Sequence, residues 1–266
     1  MSETNTIEAG GPFTRATIAE DLRRLGLASG ATVIVHSSLS RLGWVAGGAH
    51  AVVLALLEVV GPAGTIVMPT HTGLSDPARW RNPPVPEAWW RVFRAEAPAY
   101  DERLTPTRNM GAIVECFRHL EEVARSGHPA VSVAAVGPHR DEVVSSHSLA
   151  DSLGESSPLA RLYELDAYVL LLGVGHANNT SLHLAEYRAA FPKTAITQGA
   201  PVRIGQARSW VEWLDIDHDS SDFEALGTAF AATGGDTEGT VGSGTARLMR
   251  QRAVVDFAVS WMGEHR

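Results

Sequence analysis

Cysteine is almost missing. Cys116 is the only one in 266 residues, so no intramolecular disulfide can form, and a reducing cytoplasmic setting fits that composition. No apolar run approaches the roughly 20 residues that span a bilayer. The opening MSETNTIEAGGPF lacks the basic and apolar regions of a signal peptide and reads as a frayed lead-in. Basic side chains are outnumbered, 22 Lys and Arg against 30 Asp and Glu, for a formal net charge of −8. That excess of acid argues against nucleic acid or an anionic membrane as partner and permits a cationic one, although solubility alone also accounts for it. The usual nucleotide and hydrolase signatures are absent: no G-x-x-x-x-G-K-[ST], no G-x-G-x-x-G after the first strand, no G-x-S-x-G. His36, His71, His128, His176 and His183 all fall near expected strand ends or helix starts. With neither H-E-x-x-H nor paired-ligand spacing, no metal site is expected among them.

What is present is an ordinary globular composition, 44% hydrophobic and 20% charged, in one large or two small domains. The most informative stretch is YVLLLGVGHANNTSLHLAEYRAA, residues 168–190. Its short apolar run predicts a buried strand bounded by Gly173 and Gly175. Asn178, Asn179 and Thr180 then offer helix-starting side chains, and Pro192 lies just past the following helix. His183 and Glu186, three apart, share one helical face. An imidazole beside a carboxylate there suits a general base with its orienting partner. An isolated H-x-x-E is more often a solvated surface pair, and the position after a glycine-bounded strand brings the two readings level.

Before this stretch, residues 14–26 predict a helix, with Thr17 and Glu20 resembling a capping box and Gly26 closing it. Residues 32–35 predict a strand ending in His36-Ser37-Ser38-Leu39-Ser40, which suits phosphate or amide recognition as well as a simple cap and turn. A helix over 49–60 and a strand over 65–68, ending in Pro69-Thr70-His71, complete a βαβ unit with both strand ends at one sheet edge. Residues 72–107 hold Pro77, Pro83, Pro84, Pro86, Pro98 and Pro106, which disfavour long regular elements. They also carry Trp80, Trp89, Trp90, Phe93 and Tyr100, too many aromatics for disorder, so an ordered lid or packed loop is expected. Residues 109–119 predict a helix with Arg108 and Asn109 at its start, an anion site in principle. A strand over 131–136 and helices after Pro138 and Pro158 precede the focal stretch. Beyond Pro192 come two β-rich segments and a dense acidic run, Asp215, Asp217, Asp219, Asp222 and Glu224, which is either a solvated turn or a cation-attracting rim. A Gly-rich turn over 239–244 is expected to feed a helix carrying Arg247, Arg250 and Arg252, with a final helix over 254–261. The alternation implies an α/β fold with a mixed, mostly parallel central sheet flanked by helices, and a smaller β-rich, acidic region towards the end.

Several blocks in one order carry a resemblance: VHSSLSRLGWVAGGAHAVVLALLEVVGPAGTIVMPTHT, PPVPEAWW, LTPTRNMGAIVECFR, RSGHP, SLGESSPLARLYELD and LLLGVGHANNTSLHLAEYRA. Together they resemble the aminoglycoside 3-N-acetyltransferase family, from Val35 nearly to the end of the chain. The resemblance implies a single domain over 14–266, with 72–107 as an aromatic loop and 194–235 on the acceptor side. It implies an α/β fold distinct from the GNAT acetyltransferases, and acetyl transfer from acetyl-CoA to the 3-amino group of a 2-deoxystreptamine antibiotic, hence antibiotic resistance. Under it His183 is the base and Glu186 its acidic neighbour. His36, Ser37, Ser38, Leu39, Thr70, Arg108, Asn109, Met110, Gly111, Gly242 and Ser243 fall to acetyl-CoA, and Tyr100, Glu186, Asp217 and Glu224 to the acceptor. His71 departs from the Gln expected in many relatives. The implied partners are two small molecules, with no metal, no nucleic acid and no membrane, and a homodimer is compatible with it. Two other readings stay open: an acetyl-CoA-dependent enzyme for a different small amine, and a non-catalytic binding protein, which would be expected to lack the His.

Overall fold

The computed structural model describes residues 7–8, 10–80 and 84–266. Residues 1–6 and 9 of the lead-in, and Pro83 of the proline-rich segment, lie outside the described residues. Alternating apolar side chains in short β-branched runs build the central sheet. Its strands are β1 (Thr32–Ser37), β2 (Thr65–Pro69), β3 (Ala124–Arg125), β4 (Val133–Val136), β5 (Tyr168–Leu172), and two later ones. Those are β8 (Asp236–Val241) and β9 (Gly244–Arg250). A separate hairpin joins β6 (Ala195–Ile204) to β7 (Ala207–Ile216).

The sheet runs β3-β4-β2-β1-β5-β9-β8. Its centre, β2-β1-β5, is parallel, and an antiparallel pair flanks it on each side. The period-2 alternation divides the core cleanly. Val33, Val35, Ile66, Met68, Leu170 and Leu172 face one apolar layer. Ile34, Val67, Val169 and Leu171 face the other. Helices α1 (Arg15–Leu25), α2 (Gly48–Val60) and α4 (Gly111–Phe117) cover the first face. The second is covered by α5 (Arg140–Val144), α6 (Pro158–Glu164), α7 (Ser181–Arg188), α8 (Phe223–Ala232) and α9 (Gln251–His265). Because β1, β2 and β5 run the same way, their carboxyl ends meet at one edge, where such sheets bind ligands.

Four local expectations are corrected. The capping box of α1 is Thr14 with Thr17 rather than Thr17 with Glu20. The proline-rich segment contains a ten-residue helix, α3 (Glu87–Glu96), because Pro86 and Pro98 bound an interval free of proline, and proline disrupts only the interior it occupies. The helix expected over 109–119 is the shorter α4, since Asn109 takes a left-handed φ of 61°. Residues 239–250 form the β8–β9 hairpin rather than a turn and helix, with Arg247 opposite Glu238 and also bonded to Asp236 at 2.7 Å.

The proline-rich segment and the β6–β7 hairpin clasp each other. Arg208 donates from Nε to the Ala97 carbonyl at 2.8 Å and from Nη2 to that of Arg94 at 2.5 Å. Trp210 meets Phe93 edge to face, and the Tyr100 amide donates to the Pro201 carbonyl at 3.0 Å. On the opposite side, Gly227 of α8 packs against the turn His176–Asn178, and a Cβ there would collide with the His176 ring. Gly227→Ala is therefore expected to destabilise the fold by about 1–3 kcal/mol through overpacking; equilibrium denaturation measures this, and an unchanged midpoint would show that the turn yields freely.

Candidate active site

Three strand ends supply the site. β1 delivers His36 and Ser37, β2 delivers Pro69 and then His71, and β5 leads through Gly173 into the turn His176–Asn178 and α7. Gly173 has a φ of +71°, and a Cβ there would stand 2.8 Å from the Arg41 Cβ and 3.1 Å from the Ser38 carbonyl, so a larger residue would push the two strand ends apart.

A cavity of about 210 Å³ opens at this edge, with His36, Ser37, His71, Asn109, Thr180 and His183 among its walls. A larger one of about 720 Å³ adjoins it, lined by Ser38, Leu39, Trp44, Gly48 and Gly111. Ser37, Asn109, Met110 and Asn178 belong to both. Among the described residues, three buried polar atoms in the smaller wall have no hydrogen-bond partner: His36 Nε2, Ser37 Oγ and His71 Nε2. Buried polar groups are nearly always bonded, so orphans gathered at one cavity mark a place for a polar ligand.

The imidazoles divide into two kinds. Burial, reinforced by the neighbouring His183, pushes His36 and His71 down to about 3, so both are neutral at pH 7. His183 instead has its Nδ1 against Glu186 Oε2. The other Glu186 oxygen accepts from the Asp219 amide at 3.0 Å and from Arg266 Nη1 at 2.6 Å. Burial alone would raise the Glu186 carboxyl, which is 1% exposed. The hydrogen bond and charge of His183, with those of Arg266 and the Asp219 amide, outweigh it and hold the group below the ordinary range. Because the carboxylate accepts a hydrogen bond from Nδ1–H, the neutral form of His183 carries its lone pair on Nε2. The ring is fixed by Phe223 and His218, with centroids 4.9 and 5.0 Å away. The arrangement is a buried, oriented base beside a cavity with unpaired hydrogen-bonding groups.

The family profile described as aminoglycoside 3-N-acetyltransferase matches residues 34–263. The SPbeta prophage-derived aminoglycoside N(3')-acetyltransferase-like protein YokD of Bacillus subtilis (strain 168) is 48% identical over 252 residues, covering 94% of this chain and 92% of that protein. The chain belongs to the aminoglycoside 3-N-acetyltransferase family. The crystal structure of YokD superposes with a TM-score of 0.94 over 97% of each chain, at 46% identity. Aminoglycoside N(3)-acetyltransferase VII of Streptomyces paromomycinus is 37% identical over 269 residues, covering 96% of this chain and 93% of its own. The structure of AAC-IIIb in binary complex with CoASH has a TM-score of 0.86 at 29% identity, covering 96% of this chain and 98% of that one.

In this aminoglycoside 3-N-acetyltransferase family member, His36, Ser37, Ser38, Leu39, Asn109, Met110 and Gly111 converge on the paired cavities. Other expected contacts lie elsewhere. Thr70 is fully buried in a network with Ser132 and Arg125. Arg108 lays its guanidinium 4.6 Å from the centroid of a Trp80 ring and is not among the residues lining either cavity. Gly242 packs under the Leu42 carbonyl and Ser243 against Gly10 and Gly43, behind the cavity wall. Tyr100 is buried and donates its hydroxyl to the Ser126 carbonyl.

Part of the acidic run is engaged within the protein, while Asp217, Asp219 and Glu224 are exposed. Asp215 accepts from Tyr187 and Ser152. Asp222 holds Arg266, and Glu224 accepts from the Ala177 amide at 2.9 Å. Glu186 has both oxygens occupied, which fits an orienting partner and leaves it no free edge for an acceptor. Asp217 lines a third cavity, about 440 Å³, with Lys193, His218 and Asp219. Sequence reasoning passed over His218, Phe223 and Arg266 as site residues, because only the packing of α9 and the loop after β7 onto α7 brings them there.

Proposed function

We propose that this protein transfers an acetyl group from acetyl-CoA to the 3-amino group of 2-deoxystreptamine aminoglycosides, conferring resistance, with residues 14–266 acting as one catalytic domain. The observation that carries the reading is the shared wall: the cavity holding His183 opens into the larger one through Ser37, Asn109, Met110 and Asn178. A donor in the larger cavity would place its reacting end beside the base. CoASH bound to the relative AAC-IIIb supports that donor. The larger cavity offers hydroxyls from Ser38 and Ser40 for amide groups. Gly48 begins the thirteen-residue α2 in the wall of the larger cavity, a helix end of the kind that attracts phosphate, with its own amide donating to the Val45 carbonyl at 2.9 Å.

Acetyl-CoA, when bound, supplies the acetyl group activated as a thioester. His183 Nε2 takes the proton that the acceptor amine must lose as its nitrogen attacks the thioester carbonyl; the C–S bond breaks, and the proton passes to the departing thiolate, which leaves as CoASH. Glu186 balances the imidazolium charge that results. His36 and His71, kept neutral by burial, do not compete for that proton, and their unpartnered nitrogens remain available as donors or acceptors to the reacting groups. A dependence on acetyl-CoA fits action in the cytoplasm, and no described helix is long and apolar enough to cross a membrane.

The deciding experiment is acetyl-CoA-dependent thiol release across a panel of aminoglycosides and simple amines. Release with 2-deoxystreptamine compounds alone supports the reading; release only with simple amines overturns the acceptor assignment. One observation favours that second acceptor class: Asp215, Asp222 and Glu224 already accept hydrogen bonds from other parts of this chain. Ionic strength separates the two. A polycation's affinity should fall steeply with salt, while a singly charged amine's should barely change. The cavity assignment has its own check. Ser38→Trp is expected to raise KM for acetyl-CoA roughly tenfold, equivalent to ~1.4 kcal/mol of binding, while leaving KM for the acceptor nearly unchanged. Equal changes in both would remove Ser38 from the donor cavity.

A further inference from the structure

Arg266, at the end of α9, lies against the back of the dyad and on the far side of Glu186 from His183. Its guanidinium is committed on every edge. Nη1 donates to Glu186 Oε1 at 2.6 Å, Nε to Asp222 Oδ2 at 2.8 Å, and Nη2 to Asp222 Oδ1 at 2.5 Å and the Asp219 carbonyl at 2.7 Å. The Phe191 and Phe223 rings lie 5.3 and 5.9 Å from it, and the side chain is only 12% exposed. Phe223 is the same ring that packs on His183.

We propose that Arg266 is a positioning residue for the reaction: it locks the Glu186 carboxylate in the rotamer that faces His183 and tempers the negative charge that the imidazole meets. This rests on the base assignment made for the acetyl transfer. A carboxylate holding His183 through one oxygen turns about its own bonds unless the other oxygen is tied. The Asp219 amide and Arg266 tie it. The planar fork matters, because an ammonium is a point charge and cannot engage Glu186, Asp222 and the Asp219 carbonyl in one plane.

The charges form a row: imidazole, Glu186 carboxylate, Arg266 guanidinium, Asp222 carboxylate. Before proton transfer the row carries one net negative charge, and after it none. The other ionisable groups around it are His36 from β1, His71 beyond β2, Asp215 from β7, and His218, Asp217 and Asp219 from the loop after β7. Lys193 lines the cavity behind Glu186. Glu224 of α8 is turned to Ala177, and His265 of α9 is stacked on Trp261. Removing Arg266 adds one uncompensated negative charge next to the base. The base then keeps its proton to higher pH, so the acid limb of the rate profile moves up in pH.

The test compares Arg266→Met and Arg266→Lys with the unchanged protein. For Arg266→Met, kcat is expected to fall about 10–100-fold, by analogy with the loss when a residue orienting a metal-bound His or carboxylate is removed. KM for acetyl-CoA stays put, and the acid limb of kcat/KM shifts to higher pH. Arg266→Lys restores the acid limb through its charge but recovers only part of kcat. Methylguanidinium added to Arg266→Ala should return some activity. Unchanged kcat and acid limb in folded Arg266→Met would overturn the proposal. So would a fall in kcat with the acid limb unmoved, which is what loosened packing of α9 would give. If Arg266→Met does not fold, Asp222→Asn loosens the Arg266 anchor without altering the dyad, and wild-type kcat in that variant counts against the idea. Should the protein prove to transfer no acetyl group at all, the low-field imidazole N–H proton resonance still decides. The proposal requires that signal to move in Arg266→Met, and a fixed signal defeats it.

Discussion

Replacing His183 with alanine is expected to cut kcat by about 10²–10⁴-fold, the usual contribution of a positioned general base, while acetyl-CoA still binds. The separation follows from where the side chain sits. His183 lines the smaller cavity only, whereas Ser38, Leu39 and Gly111 line the larger one, so removing the imidazole leaves the donor surface in place. The variant should remain folded, because His183 is partly exposed and lies at the cavity rather than in either apolar layer. Isothermal titration with acetyl-CoA, alongside single-turnover kinetics, distinguishes the cases. Turnover close to that of the unchanged protein would remove His183 from the mechanism. Loss of acetyl-CoA affinity equal to the loss of rate would make it a binding residue instead.

The second large effect is on stability, and acid reveals it. Burial, with the His183 charge next in order for three of them, keeps His36 and His71 neutral down to about 3 and His218 to about 4. His147 also stays neutral to about 4, through burial. In the unfolded chain each imidazole binds a proton as pH falls through about 6.5. Between those limits the unfolded state holds more protons than the folded one, so stability drops as pH drops. Each such imidazole costs about 1.4 kcal/mol per pH unit below 6.5, or roughly 2 kcal/mol at pH 5. Four together approach the whole stability of a typical domain, about 5–15 kcal/mol. The melting temperature should therefore fall steeply from pH 7 to pH 5, as followed by calorimetry. A flat profile would mean that these imidazoles gain protons within the native fold.

The parts legible in the sequence are those fixed by near neighbours. β1, β2 and β5 are marked by short apolar runs closed by glycine or polar turns, α1 by its apolar stripe and Gly26, although its cap is Thr14 and not Thr17, and α6 by Ser157-Pro158. The His183–Glu186 pair follows from helical spacing alone. The parts that escaped depend on distant partners. Arg252 does lie in α9, but Arg247 and Arg250, which look helical by the same spacing, sit on the segment 244–250 that pairs with β5 on one side and β8 on the other, and Arg247 meets its carboxylates across the ladder. Counting prolines between 72 and 107 hid α3, since what matters is the gap between them. Acidic residues 215–224 invited a surface reading that holds for the exposed Asp217, Asp219 and Glu224 but not for Asp215, which is buried against Ser152 and Tyr187, partners far away in the chain.

The clasp between the proline-rich segment and the β6–β7 hairpin has a consequence for recombination. Arg208 and Ala97, 111 residues apart, are joined by a side chain on one stretch and a carbonyl on the other. Phe93 and Trp210 share a ring contact of the same reach. Neither stretch is therefore a self-contained cassette. A chimera that imports a hairpin lacking Arg208 or Trp210 while keeping the native proline-rich segment loses the guanidinium bonds or the aromatic pair. The two stretches are therefore best exchanged together, as one discontinuous block.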